Sequence, residues 1–208
     1  MKKDTGDEQE IRKKSLRGIS LEKRKNYSKE YVDFASDSIC HKVVELVERW
    51  DLLEKDNAEP FVLCFYAATG NEVSLWPAFE YAVKKQIPVY FPKVHGEDME
   101  FYLVNHRSQL QEGAFHILEP ILTQETQESI KLSCESKKLI LVPGVAFSTS
   151  GQRIGYGKGF YDRYLSQARN YIAVGITYDE LLLEPWLGDS WDIIMNEIIT
   201  EKRKVTIQ

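Results

Sequence analysis

Between Pro143 and Leu165 the chain sets Arg153 and Lys158 among Gly151, Gly155, Gly157 and Gly159, then continues directly into Phe160-Tyr161-Asp162. This is the material of an anion site. Glycines let backbone N–H groups approach an anion closely, and a helix start adds partial positive charge. Arg153 and Lys158 add full charges suited to phosphate oxygens. Neither familiar nucleotide motif is present. A P-loop requires G-x-x-x-x-G-K-[ST], whereas Gly157-Lys158 is followed by Gly159 and the required first glycine falls on Gln152. The dinucleotide fingerprint fails as well, because Gly155, Gly157 and Gly159 are spaced G-x-G-x-G. On residue types alone, a charged surface turn is the competing reading.

The elements that must position these residues follow from periodicity. Leu139–Val142 is an apolar, β-branched run suited to a strand buried on both faces, and Pro143-Gly144 ends it. Phe160 opens a helix to about Ala168. Lys13 and Arg17, four apart, share one face of a helix over Glu8–Lys25, whose apolar seam is Ile11, Leu16, Ile19 and Leu21. Ser28 reads as the N-cap of a second helix, apolar at Tyr31, Ala35, Ile39, Val43, Leu46, Val47 and Trp50. Strands are expected at Phe61–Tyr66, Ile87–Pro92, Met99–Val104 (near an edge) and Tyr171–Ile176, with Ile198-Ile199 as the last. Lys93 then follows a strand end directly. Helices are expected over Glu72–Lys85, with Glu72 in its first turn, and over Thr123–Lys131. The alternation predicts one three-layer α/β/α domain over residues 8–208, with a largely parallel, Rossmann-like central sheet and an N-terminal helical segment; polar residues 1–7 are expected to be disordered. The site belongs at the strand carboxyl ends.

Composition narrows the classes. A chain of 208 residues, 43% hydrophobic and 28% charged, is ordinary for a globular protein. A net charge of −5 argues against a general nucleic-acid binder. No apolar run reaches the ~18 residues of a membrane span. Cys40, Cys64 and Cys134 are odd in number and widely spaced, which fits a reduced, cytoplasmic location. His41, His95, His106 and His116 form no metal-ligand spacing.

The stretch from Pro143 to Leu165 closely resembles the signature of the 5-formyltetrahydrofolate cyclo-ligase (5,10-methenyltetrahydrofolate synthetase) family, P-G-[LV]-A-F-x-x-x-G-x-R-[LI]-G-x-G-x-G-[YF]-Y-D-R-x-L. Weaker matches extend the resemblance from Lys13 to Glu201: Lys13-Lys14-Ser15-Leu16-Arg17 fits K-x-x-L-R, Pro92-Lys93-Val94 fits P-[KR]-V, and Trp191 to Glu201 fits the terminal pattern. Four departures stand out: Ser148 for Asp, His116 for Gly, Trp191 for His and Asn196 for Asp.

The resemblance implies ATP-dependent cyclisation of 5-formyltetrahydrofolate to 5,10-methenyltetrahydrofolate, releasing ADP and phosphate. It assigns ATP to Lys13, Lys14, Ser15, Leu16 and Arg17 together with Arg153, Ile154, Gly155, Tyr156, Gly157, Lys158, Gly159, Phe160 and Tyr161. It assigns the folate to Arg17, Ala67, Glu72, Tyr156, Gly157, Lys158, Gly159 and Phe160, with Glu72 pairing the pterin N–H donors. Arg153 and Lys158 are the expected catalytic cations, and Asp162 and Asp192 the Mg²⁺ carboxylates. Lys158→Ala and Arg153→Ala are both expected to cut turnover with the fold intact. The partners are 5-formyltetrahydrofolate and ATP, with no nucleic acid and no membrane; the protein is expected to be a monomer or weak homodimer. The alternatives are a non-catalytic nucleotide-binding protein, or an ATP-dependent ligase or kinase for another small molecule.

Overall fold

The computed structural model describes residues 6–54, 61–123, 132–133, 136–186 and 192–207. In chain order the elements are α1 (Gly6–Lys25), α2 (Lys29–Glu54), β1 (Val62–Cys64), α3 (Trp76–Lys84), β2 (Val89–His95), β3 (Asp98–Leu103), β4 (Leu110–Glu112), β5 (Leu118–Pro120), β6 (Lys138–Pro143), β7 (Ala146–Ser148), β8 (Arg153–Ile154), α4 (Phe160–Gln167), β9 (Tyr171–Ile176), β10 (Leu182–Leu183), β11 (Glu197–Ile199) and β12 (Lys204–Thr206). The main sheet runs β12-β11-β9-β6-β1-β2-β3. Its neighbours from β11 through β2 pair in parallel, and β12 and β3 are antiparallel edges.

The strand period of two divides the core. Leu63, Leu139, Leu141, Val174 and Ile176 face one way, into a cluster with Ile39, Val43 and Val47 of α2 and Phe79 of α3. Val62, Cys64, Ile140, Val142 and Ala173 face the other way, where Leu165, Tyr161 and Tyr164 of α4 pack. Continuous apolar strands between two helical layers are what a parallel sheet requires, and the expected three-layer α/β architecture is present.

Several expectations need correction. α1 starts ahead of Glu8, and only half of its apolar seam is covered: Leu16 and Leu21 pack against the core, Ile11 is 68% and Ile19 64% exposed, and Ser20 and Arg24 are buried. The helix also docks by polar residues because it covers a polar site. α3 starts at Trp76 rather than Glu72, since Pro77 is tolerated only in a first turn. β2 continues to His95, so Lys93 lies within a strand, paired in register with Glu100. Ile198-Ile199 is followed by a further antiparallel strand, β12. Ser28 does cap α2, accepting the Tyr31 N–H at 3.2 Å. The helix expected over Thr123–Lys131 falls largely outside the described residues, as do Cys134 and Trp191. Among the described residues no helix is long and apolar enough to cross a membrane. Cys40 and Cys64 are buried free thiols, and burial pushes the Cys40 thiol up to about 11.

Candidate active site

Strand order reverses between β1 and β6: the chain leaves β1 for β2 on one side and returns to β6 on the other. In open α/β sheets this switch point is where a crevice opens. Glu72 follows β1, Gly144 follows β6 and Thr177 follows β9, and all three line one cavity of about 10 Å³ with Arg24, Tyr66 and Tyr178. That volume holds about one water. The Thr177 hydroxyl is buried there without a hydrogen-bond partner.

Glu72 is the chemical centre of this crevice. It sits in the turn before α3, where its carboxylate folds back to accept the Thr69 N–H at 2.9 Å. Its other oxygen accepts the Tyr156 hydroxyl at 2.8 Å. Arg24 Nη2 lies 3.8 Å from the same oxygen, with both side chains under 10% exposed. Burial raises the carboxyl's pKa, opposed by the Thr69 N–H, by Arg24 and by Tyr156. Tyr156 is in turn pushed up to about 12, chiefly by burial and by the charge of Glu72. Ala67, expected to line this pocket, is buried in the same core cluster as Tyr66, and of the two it is Tyr66 that lines the cavity.

The glycine-rich stretch divides in two. A short antiparallel hairpin, β7–β8, interrupts the expected strand–loop–helix. Gly151 forms its tip at φ +88°, where a Cβ would lie 2.6 Å from Ile194 and 2.9 Å from the Met195 carbonyl. It serves packing rather than an anion. The open loop is therefore Gly155–Gly159. Gly157 takes φ +88° and Gly159 φ +70°, both in the left-handed region that side chains avoid. Gly159 is the N-cap of α4.

Two sets of cations meet this loop. From α1, Arg17 Nε donates to the Gly155 carbonyl at 2.7 Å, and its guanidinium lies within 3.8 Å of the Cβ position of Gly157. Lys13 pairs with Asp192. Lys14 and Ser15 are exposed, and Leu16 packs against the core. From the loop itself, Lys158 is exposed, its ammonium 5.5 Å from the centroid of Phe115. Phe115 also approaches Phe160 and adopts φ +58°.

Arg153 departs from expectation. Its side chain is 7% exposed, it donates to Asp162 at 2.8 Å and to the Pro143 carbonyl at 3.3 Å, and it lies 5.4 Å from the Tyr161 ring centroid. Arg153→Ala should therefore lower stability as well as turnover, because this side chain ties β6, β8 and α4 together. Ile154 is core, and Tyr161 has a buried hydroxyl without a partner. Asp162 and Asp192 each carry a cationic partner, and no group of three or more His, Cys, Asp or Glu suited to a metal exists among the described residues.

Arg24 was missed by sequence reasoning. Its signal was present: Lys13, Arg17, Ser20 and Arg24 are spaced i, i+4, i+7 and i+11, within about 60° of one another around a helix of 3.6 residues per turn. Tyr178 was only loosely matched; it is 1% exposed and donates to the Asn71 carbonyl at 2.9 Å.

Comparison with known proteins supplies the remaining findings. The model of the family described as 5-formyltetrahydrofolate cyclo-ligase matches residues 8–201. A probable 5-formyltetrahydrofolate cyclo-ligase from Schizosaccharomyces pombe is 32% identical, over 77% of this chain and 75% of that protein. The 5-formyltetrahydrofolate cyclo-ligase of Escherichia coli K12 is 30% identical, over 66% and 76% respectively. Among solved structures, the Aquifex aeolicus 5,10-methenyltetrahydrofolate synthetase superposes with a TM-score of 0.73 at 31% identity, covering 94% of this chain and 93% of that one.

Proposed function

The chain belongs to the 5-formyltetrahydrofolate cyclo-ligase family, and from that premise we propose that it cyclises 5-formyltetrahydrofolate to 5,10-methenyltetrahydrofolate at the expense of ATP, with Mg²⁺. The observation that carries this reading is the double attachment of one loop. Gly155 and Gly157 meet Arg17, while Tyr156 between them reaches buried Glu72. A cationic, glycine-rich surface for polyphosphate thus adjoins a buried carboxylate for paired N–H donors.

The formyl oxygen is a poor leaving group. In the proposed reaction it attacks the γ-phosphorus of ATP and ADP departs. N10 then bonds to the formyl carbon and loses its proton, and phosphate leaves with the former formyl oxygen. Such chemistry depends on positioning and charge neutralisation rather than on a protein nucleophile. Lys158, Arg17 and Lys13 hold the phosphates in this reading. Arg153 acts mainly from beneath, by holding Asp162 and the strand end that carry the loop. Glu72 accepts the pterin donors after Tyr156 gives up its bond, and the crevice must widen to do so, since a cavity of about 10 Å³ admits no ring. Phe160 and Tyr156 supply apolar surface.

Mg²⁺ typically takes one or two carboxylates plus phosphates and water, so two separate carboxylates, Asp162 and Asp192, fit an ion arriving with the nucleotide better than a resident one. Bound there it would neutralise phosphate charge. We assign the activity to the cytoplasm, consistent with the free thiols of Cys40 and Cys64, and to a monomer or weak homodimer.

The test is direct. Protein, Mg-ATP and 5-formyltetrahydrofolate are mixed and the methenyl chromophore is followed. ATP binding without product would replace the proposal with a non-catalytic nucleotide-binding protein. ATP hydrolysis dependent on a different metabolite would replace it with another ligase or kinase.

A further inference from the structure

We infer that Arg24 is a positioning residue for the reaction: from α1 it holds the Glu72 carboxylate in place as an anion, ready for a ligand's paired N–H donors. The inference rests on the reading of Glu72 as the pterin carboxylate.

The geometry is that of a bracket. The side chain of Arg24 is 8% exposed. Nη1 donates to the Gly144 carbonyl at 3.3 Å, which anchors the guanidinium to the end of β6. Nη2 donates to the Tyr156 hydroxyl and lies 3.8 Å from Glu72 Oε1. Asn71, beside Glu72, donates through its amide to the Arg24 carbonyl at 3.1 Å and the Tyr27 carbonyl at 3.3 Å, so the end of α1 and the Glu72 turn are joined a second time. One Arg thus fixes the distance between helix, turn and switch-point strand.

Charge makes this more than packing. The titratable groups acting on Glu72 are Arg24 from α1 and Tyr156 from the loop, and the charge of Glu72 in turn reaches Tyr66 after β1, Tyr161 of α4 and Tyr178 after β9. The tyrosines are phenols, and burial drives each of their pKa values upward, so they stay neutral at neutral pH. Arg24 is the cation acting on a carboxylate whose burial favours the protonated form. A protonated Glu72 presents a donor and loses acceptor capacity, which mismatches a ligand edge made of adjacent N–H groups. Once a ligand has replaced the Tyr156 hydroxyl, Arg24 and the Thr69 N–H are what keep the anion oriented.

The test uses Arg24→Met, Arg24→Lys and Glu72→Gln in the full chain, with KM for each substrate measured across pH. For Arg24→Met we expect the folate KM at neutral pH to rise about 10- to 100-fold. The acid limb of kcat/KM for folate should move to higher pH by about one unit or more, as loss of an adjacent opposite charge does. The KM for ATP should change less than about threefold, which separates this role from undocking of α1, since undocking would also withdraw Lys13 and Arg17. Arg24→Lys should bring the acid limb back toward wild type without fully restoring the KM. An unmoved acid limb in Arg24→Met, or ATP and folate KM rising together, overturns the inference. Glu72→Gln judges the underlying reading separately: a folate KM unchanged from wild type would remove Glu72 from the pterin site whatever Arg24 does.

Discussion

Arg153 and Lys158 sit close in sequence and carry the same charge, yet the structure gives them opposite sensitivities. For Arg153→Ala the losses are a charge-assisted hydrogen bond to Asp162, a partner for the Pro143 carbonyl, and the packing of the guanidinium near Tyr161. Hydrogen bonds to charged groups contribute about 1.5–3 kcal/mol and neutral ones about 1. Two offsets reduce that sum. Asp162 is 30% exposed, so water partly solvates it once freed. Arg153 Nε is buried without a partner, and its desolvation cost disappears with the side chain. The net is about 2–3 kcal/mol, and at roughly 2–4 °C per kcal/mol for a chain of this size the midpoint should fall by about 5–10 °C. Lys158→Ala removes an exposed side chain and should stay within about 0.5 kcal/mol of wild type. Its turnover should fall about 10²–10³-fold, the scale of one preorganised electrostatic contact to the reacting groups. Thermal melts and chromophore formation on the same two proteins decide the matter. If Arg153→Ala melts within about 2 °C of wild type, or Lys158→Ala melts as early as Arg153→Ala, the division of labour is wrong.

Three further outcomes are expected. Gly175→Ala places a Cβ 2.6 Å from the fully buried Phe147 ring, so overpacking should cost about 1–3 kcal/mol, read as an earlier melt; an unchanged midpoint would contradict this packing. His116→Gly should raise stability by up to about 1 kcal/mol, because His116 holds φ +59° immediately after Phe115 at +58° and a side chain there costs about 1–2 kcal/mol; a clear loss of stability would show that the His116–Glu112 pair outweighs the strain. Tyr156→Phe removes the hydroxyl that occupies Glu72; the folate KM should fall or hold within about twofold, and a tenfold rise would mean that the hydroxyl itself binds substrate.

What could be read from the sequence followed the strength of its periodic signals. Leu139–Val142 and Tyr171–Ile176 are long apolar runs, and they became central strands. Asp98–Leu103 lies at an edge, as expected for Met99–Val104. Hairpin β7–β8 was hidden because its strands are short and its glycines look like a loop. The face of α1 was only half legible, for a different reason. Helix burial is normally inferred from apolar spacing, but this helix buries Arg24 and Ser20 and leaves Ile11 and Ile19 in water. Leu16 and Leu21 do pack against the core, so the apolar rule found the flanks of the docking face and missed the polar stripe between them. Glu72 lies in the turn before α3 and not in its first turn, because Pro77 confines the helix start to Trp76.

The departures from the family pattern bear on whether the chain is an enzyme or a binding relic. Ser148 stands for Asp at the β7–β8 turn, where its hydroxyl accepts the N–H groups of Gln152 at 3.1 Å and Ser150 at 3.3 Å. Asn196 stands for Asp and accepts the Ala173 N–H at 2.8 Å, joining the segment before β11 to β9. Both tasks need an acceptor oxygen, which the replacements retain. His116 stands for Gly in a left-handed conformation, which a histidine can hold at a cost in strain. These three departures thus fall on positions that build turns and strand contacts. Of the residues assigned to phosphate and pterin, Lys13, Arg17 and Arg153 fall on fixed positions of the patterns this chain resembles. A fold alone does not call for a buried Glu72 with a buried Arg24 beside it, since a well-packed apolar pair is often as stable as a buried ion pair. The presence of that pair in the crevice weighs toward the catalytic reading.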